Sequence, residues 1–118
     1  MILVHSVSRS YYLYRYPTDM RKGFYGLGGL VRNTLGRNPT SGDVFLFLNR
    51  NRNLLKALFW EGDGYAIYYK RLEQGTYELP TFQGDSMRLD NDELHLFLSG
   101  IELSSVRRRK RFGRKKKS

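Results

Sequence analysis

At 118 residues the chain has the length of one domain, and folding at that size buries roughly two-thirds of the unfolded surface without help from disulfides or metal. It contains no cysteine, which excludes disulfides, thiolate catalysis and cysteine-ligated zinc or iron together and points to a reducing cytoplasm. The net charge of +10 is lopsided, because residues 107–118 hold Arg107, Arg108, Arg109, Lys110, Arg111, Arg114, Lys115, Lys116 and Lys117, nine of the 21 basic side chains and none of the 11 acids.

In chain order, MILVHSV is apolar but short, lacks a basic leader and runs into polar SRS, so an edge strand or ordered arm is expected rather than a targeting segment. No apolar run approaches the roughly 18 residues of a membrane span, and the expectation is a soluble protein with no membrane partner. YYLYRYP fits a tyrosine-rich strand that Pro17 ends. Thr18 or Asp19 can cap a helix running to about Leu35, since Phe24, Leu27, Val31 and Leu35 share one face, and Gly36 is a stop signal. VFLFL, the polar connection NRNRN, LLKALFW, the turn EGDG and YAIYYKRL then read as three strands in a meander, with TYEL as a further strand stopped by Pro80. LDNDELHLFLSGI reads as a short helix capped by Asp90 or Asn91 and closed by Gly100. The fold class expected is α+β: a small antiparallel sheet, a meander of hairpins, packed with one longer N-terminal helix and one short C-terminal helix. Residues 1–104 are expected to form a single globular domain and 105–118 a basic tail, disordered when free.

The run TDMRKGFYGLGGL tests a phosphate-loop reading. Its order, G-x-x-G-x-G-G, matches neither the P-loop nor the dinucleotide fingerprint, so Gly23, Gly26, Gly28 and Gly29 are expected in a helix, with another backbone packed close by. Arg21 and Lys22 at that helix start oppose the helix dipole unless a phosphate binds there, or Asp19 pairs with one of them. The alternating Asn49-Arg50-Asn51-Arg52-Asn53 suits either a phosphate-contacting hairpin tip or a solvated turn. Lys56, Lys70 and Arg71 could share one basic face with that tip. Tyr11, Tyr12, Tyr14 and Tyr16, or Tyr65, Tyr68 and Tyr69, could stack on exposed bases, although tyrosines on both sides of a small sheet are more often core and rim. Asp19, Asp43, Glu61, Asp63, Asp90, Asp92 and Glu93 each sit at a cap or turn signal, and His5 and His95 are isolated. No catalytic residue, metal site or cofactor is therefore expected, and a metal-dependent nuclease is the weakest alternative. The tail binds polyanions by releasing counterions, whatever their sequence.

Taken together, YPTDMRKGFYGL, SGDVFLFLNRNRNLLKALFWEGDGYAIYYKRLEQGTYELP and a short helix ending SGI before a basic end closely resemble the small accessory protein, often called TnpB, of insertion-sequence-sixty-six type transposable elements. The similarity runs from about Tyr16 to Ile101. It implies a non-enzymatic role in DNA transposition beside a separate, larger transposase, in a cytoplasmic, nucleoid-associated setting. The family supplies no catalytic residues to transfer. Arg21, Lys22, Lys56, Lys70 and Arg71 match its recurring positions, and the expected partners are element DNA, the transposase, or both.

Overall fold

The computed structural model describes residues 9–100; the expected edge strand or arm of MILVHSV and the cationic run Arg107 to Lys117 lie outside the described residues. The element order is β1 (Tyr11–Tyr14), α1 (Phe24–Asn33), β2 (Val44–Leu48), β3 (Leu54–Trp60), β4 (Tyr65–Arg71), β5 (Ser86–Leu89) and α2 (Asn91–Ser99). One five-stranded sheet carries them in the spatial order β4-β3-β2-β1-β5. The class is α+β, as expected, but the sheet is mixed.

Antiparallel hairpins hold only for β2–β3–β4, where Leu46 faces Ala57 and Ala57 in turn faces Tyr68. β1 instead lies parallel to β2, with Tyr12 opposite Phe45, so α1 is the crossover of a strand-helix-strand unit. The reason is legible in burial: all four residues of β1 and all five of β2 are buried, the pattern of central strands covered on both faces. A strand of that kind needs a neighbour on each side, and β5 supplies the second by pairing antiparallel, Tyr11 with Leu89 and Tyr14 with Ser86. The expected TYEL strand does not form. Tyr77 donates its backbone N–H to the Arg52 carbonyl (2.8 Å) and buries its ring against Phe97 (centroids 5.3 Å apart), so this segment packs across the sheet instead of extending it.

The two faces of the sheet are covered by different elements. Leu13, Leu46, Ala57 and Phe59 point to the side closed by α2 and the 72–85 segment, through Tyr77, Leu94 and Phe97. Tyr12, Tyr14, Phe45, Phe47 and Leu58 point to the other side, closed by Leu27 and Val31 of α1. α2 starts as expected: Asp90 accepts from the Glu93 N–H (2.8 Å), the Glu93 carboxylate accepts from the Asp90 N–H (2.9 Å), and Gly100 ends the helix at φ 85°. At ten residues α1 is barely longer than the nine of α2.

α1 also starts later than its sequence suggests. Neither Thr18 nor Asp19 caps it; the N-cap is Gly23, with no side-chain bond. Thr18 donates its N–H to Leu48 O (2.8 Å), and Asp19 folds the chain into a tight turn by accepting from the Arg21 N–H (2.9 Å). Residues 18–23 therefore form a strap between β1 and α1, fastened from below by Lys56 on β3. The Lys56 ammonium donates to Met20 O (2.7 Å) and Lys22 O (2.8 Å), and it lies 4.7 Å from the ring centre of Tyr69. The Met20 and Lys22 carbonyls thus turn toward the ammonium, and the helix begins after them, at Phe24.

The helical glycines have a narrower cause than close approach of another backbone. A Cβ on Gly26 would lie 3.1 Å from Lys22 Cβ, whereas the nearest atoms at Gly28 and Gly29 would be at 3.7 and 4.0 Å. Only Gly26 is tight, and its nearest neighbour is the Lys22 Cβ, an atom fixed by the backbone of the strap.

Two stability outcomes follow from this packing. Gly29→Ala is expected to raise thermal stability by about 0.5–1 kcal/mol, because it adds helix propensity without a clash. Lys56→Met, which keeps the stem but strips two charge-assisted bonds from a residue only 9% exposed, is expected to cost about 1.5–3 kcal/mol in denaturant unfolding and to speed amide exchange at residues 24–27.

Candidate nucleic-acid interface

Strand direction sorts the charges. β1, β2 and β4 end, and β3 begins, at the same end of the sheet. Arg15 follows β1, Arg50 and Arg52 lie in the β2–β3 connection, and Lys70 and Arg71 close β4, so all five gather there. Asp43 precedes β2, Glu61 and Asp63 occupy the β3–β4 turn, and Asp90 follows β5, all at the opposite end. The acids at the basic end include Asp19, Glu73, Asp85 and Glu78, which follows the Tyr77 bonded to the Arg52 carbonyl. Asp19 is taken up by Arg21 (2.7 Å), and Glu73 lies 3.9 Å from Arg71. Among the described residues, those are the ion pairs within 4.0 Å; Arg15, Arg50 and Arg52 make none.

The Asn-Arg tip divides its labour by residue type. The Asn49 side-chain oxygen accepts from the N–H groups of Asn53 (3.0 Å) and Leu54 (2.9 Å), and its amide donates to Asn53 Oδ1 (2.7 Å). These asparagines hold the turn together and leave the guanidinium groups outside it. Arg52 adopts φ 58°, a left-handed conformation that costs a non-glycine residue about 1–2 kcal/mol. Its Nε is buried and has no hydrogen-bond partner among the described residues, a further cost of about 1–3 kcal/mol. Between this turn and the end of β1 lies a recess of about 210 Å³, walled by Arg15, Tyr16, Asn49, Arg50 and Arg52 over a floor that includes Leu48 and Leu79. Its lining among the described residues includes no carboxylate.

The residues singled out in the sequence fare differently. Arg50 and Arg52 meet at the recess, joined by Arg15, which the sequence reading passes over because it sits inside a tyrosine run; its signal was a lone cation between a buried strand and a proline. Arg21 is exposed but held by the Asp19 carboxylate through three side-chain contacts of 2.7–3.1 Å. The Lys22 carbonyl accepts from Lys56. Lys56 is buried in the strap, so it does not share a surface with the tip. Lys70 pairs with Leu55 and Arg71 with Leu54, on opposite faces of the sheet, so no single face carries both. Tyr11, Tyr12 and Tyr14 are buried, and Tyr12 stacks on Phe45 (5.7 Å, 19°); of the expected stacking set, Tyr16 and Tyr69 are exposed. Among the described residues no group of three His, Asp or Glu side chains could hold a metal, and no helix is long and apolar enough to cross a membrane.

A family model described as IS66 Orf2 like protein matches residues 9–108. The chain is 36% identical over 85 residues to the protein y4hO of Sinorhizobium fredii (strain NBRC 101917 / NGR234), covering 72% of this chain and 74% of that one. It is 30% identical over 93 residues to y4jC of the same strain, covering 79% and 80%. No solved structure matches it.

The Asp19–Arg21 pair makes a pH-dependent prediction. The side-chain and backbone hydrogen bonds from Arg21 lower the Asp19 carboxyl from 3.8 to about 2. A depressed folded value means that the turn's contribution is complete above about pH 4 and lost as pH falls toward 2. Titration by carboxyl-detected NMR should show Asp19 protonating well below the ordinary aspartate range in the wild type. Arg21→Gln should bring it back toward the ordinary value.

Proposed function

Because the chain belongs to the IS66 Orf2-like family, accessory to the transposition of insertion sequences, we propose that it serves transposition without catalysis, by holding element DNA through its phosphates. The observation that carries this reading is the gathering of Arg15, Arg50, Arg52, Lys70 and Arg71 at one end of the sheet, around a recess whose three arginines have no carboxylate partner among the described residues. Guanidinium groups in that state bind phosphate oxygens bidentately and gain more than ion-paired ones do, because no existing bond is exchanged. Phosphate contacts of this kind set register and orientation without reading sequence. The cations from Arg107 to Lys117 add a salt-sensitive, sequence-independent attraction, and Arg21, Lys22, Lys70 and Arg71 widen the basic surface. The setting proposed is the cytoplasmic nucleoid.

A second reading makes the protein an adaptor for the transposase. It is favoured by the aromatic surface where α1 begins, with Tyr25 96% and Phe24 51% exposed, and by Tyr69, 53% exposed, over the Lys56 ammonium beneath the strap.

A salt titration of affinity for the element's terminal DNA separates the two. The full chain is expected to bind with a steep log–log slope, about 0.9 per phosphate neutralised. Removing residues 107–118 should flatten that slope by several units yet leave low-salt binding, which Arg50→Glu should then abolish. Absence of DNA binding by the full chain, together with co-migration with the transposase, would establish the adaptor reading instead.

A further inference from the structure

Arg52 carries two local liabilities that a glycine would remove at one stroke: a left-handed backbone and a buried Nε with no acceptor among the described residues. The same side chain walls the recess beside Arg15 and Arg50. Local strain of this sort persists where the surroundings hold it in place, and it clusters at ligand clamps. An oxyanion in the recess would face three guanidinium groups, with the Asn49 amide already committed to the turn.

The recess is also small. At about 210 Å³ it falls below the range of roughly 300–1,000 Å³ typical of pockets that engulf a whole organic ligand. It suits a phosphate group whose attached nucleoside stays outside. At its rim stands Tyr16, 45% exposed, with the Arg15 guanidinium over its ring (5.5 Å) and the Tyr14 ring steeply inclined to it (5.7 Å, 71°). A half-exposed tyrosine beside a cationic recess is the pairing that single-strand binders use, a base on the ring and its phosphate on the arginines. A duplex has phosphates to offer but keeps its base faces stacked.

We propose that the recess between Arg15, Arg50 and Arg52 receives one phosphate group of an unpaired nucleic-acid strand, with the adjacent base stacked on Tyr16. This rests on the reading of the protein as a phosphate-contacting partner of DNA and assigns that contact a specific place and strand state.

The test uses the full chain and two probes. With inorganic phosphate, the Arg52 Nε–H resonance is expected to shift saturably and further than that of the exposed, ion-paired Arg21; equal or unsaturable shifts at both would reduce the effect to ionic screening and overturn the site. With a labelled single-stranded oligonucleotide and its duplex at matched salt, the single strand is expected to bind tighter. Arg52→Gly should weaken single-strand binding by about ten-fold while raising the melting temperature, a combination that a merely structural arginine would not give. Tyr16→Ala should weaken single-strand binding and leave the duplex unchanged. If the full chain binds DNA but Arg52→Gly and Tyr16→Ala leave the strand preference intact, the recess is not the site and the broader DNA reading stands. If the full chain binds neither form, both are wrong.

Discussion

The Lys56 ammonium, bonded to two carbonyls of the strap, is the constraint around which the rest of the molecule is arranged. It sits within a sheet face it shares with Tyr12, Tyr14, Phe45, Phe47 and Leu58. It has no carboxylate within 4.0 Å among the described residues, so backbone dipoles and the Tyr69 ring are its compensation. A cation in that place is tolerated only while both carbonyls stay put, and this makes the strap part of the core. With the strap held, α1 begins at Phe24, lies across Phe45 and Phe47 through Leu27 and Val31, and returns the chain to start β2 alongside β1.

That crossover has an electrostatic consequence. A parallel β1–β2 pair puts the ends of both strands on one side, and the antiparallel returns through β3 and β4 add the Asn-Arg tip and Lys70-Arg71 to the same side. Had β1 paired antiparallel with β2, Arg15 would have stood among Asp43, Glu61 and Asp63. The described residues thus form a body with one basic and one acidic end, and such a charge distribution orients an approaching polyanion before any contact forms.

Several elements were legible from local pattern alone. The short helix α2 was legible from a cap at Asp90 or Asn91 and a stop at Gly100, since both signals act within a few residues; the structure selects Asp90, in a capping box with Glu93. Gly36 has the left-handed φ of 66° but lies beyond the end of the first helix, which closes at Asn33 with Thr34 as its C-cap rather than running to Leu35. The hairpin turn Glu61–Gly64 and the apolar runs on either side of NRNRN announced β2, β3 and β4. What failed to show was whatever depended on a distant partner. SMRL carries no strand pattern of its own and becomes β5 because β1 has an open edge beside it. TYEL has the better pattern, but Tyr77 gains more by burial against Phe97 than a frayed edge pairing would return.

The sequence by itself determined the concentration of charge in the last twelve residues, the lack of any cysteine chemistry, the α+β class and the membership in an insertion-sequence family. Those are properties of composition and of short-range order, and they survive any arrangement of the strands. Only the tertiary structure decided what each cation is for. Lys56 is drawn into the core by carbonyls more than thirty residues away in the chain, Arg21 is neutralised by a neighbour in the turn, and Arg15 is brought beside Arg50 and Arg52. A charge on a list of residues has no address; strand order and direction supply one, and they are set by long-range pairings that no local window of sequence contains.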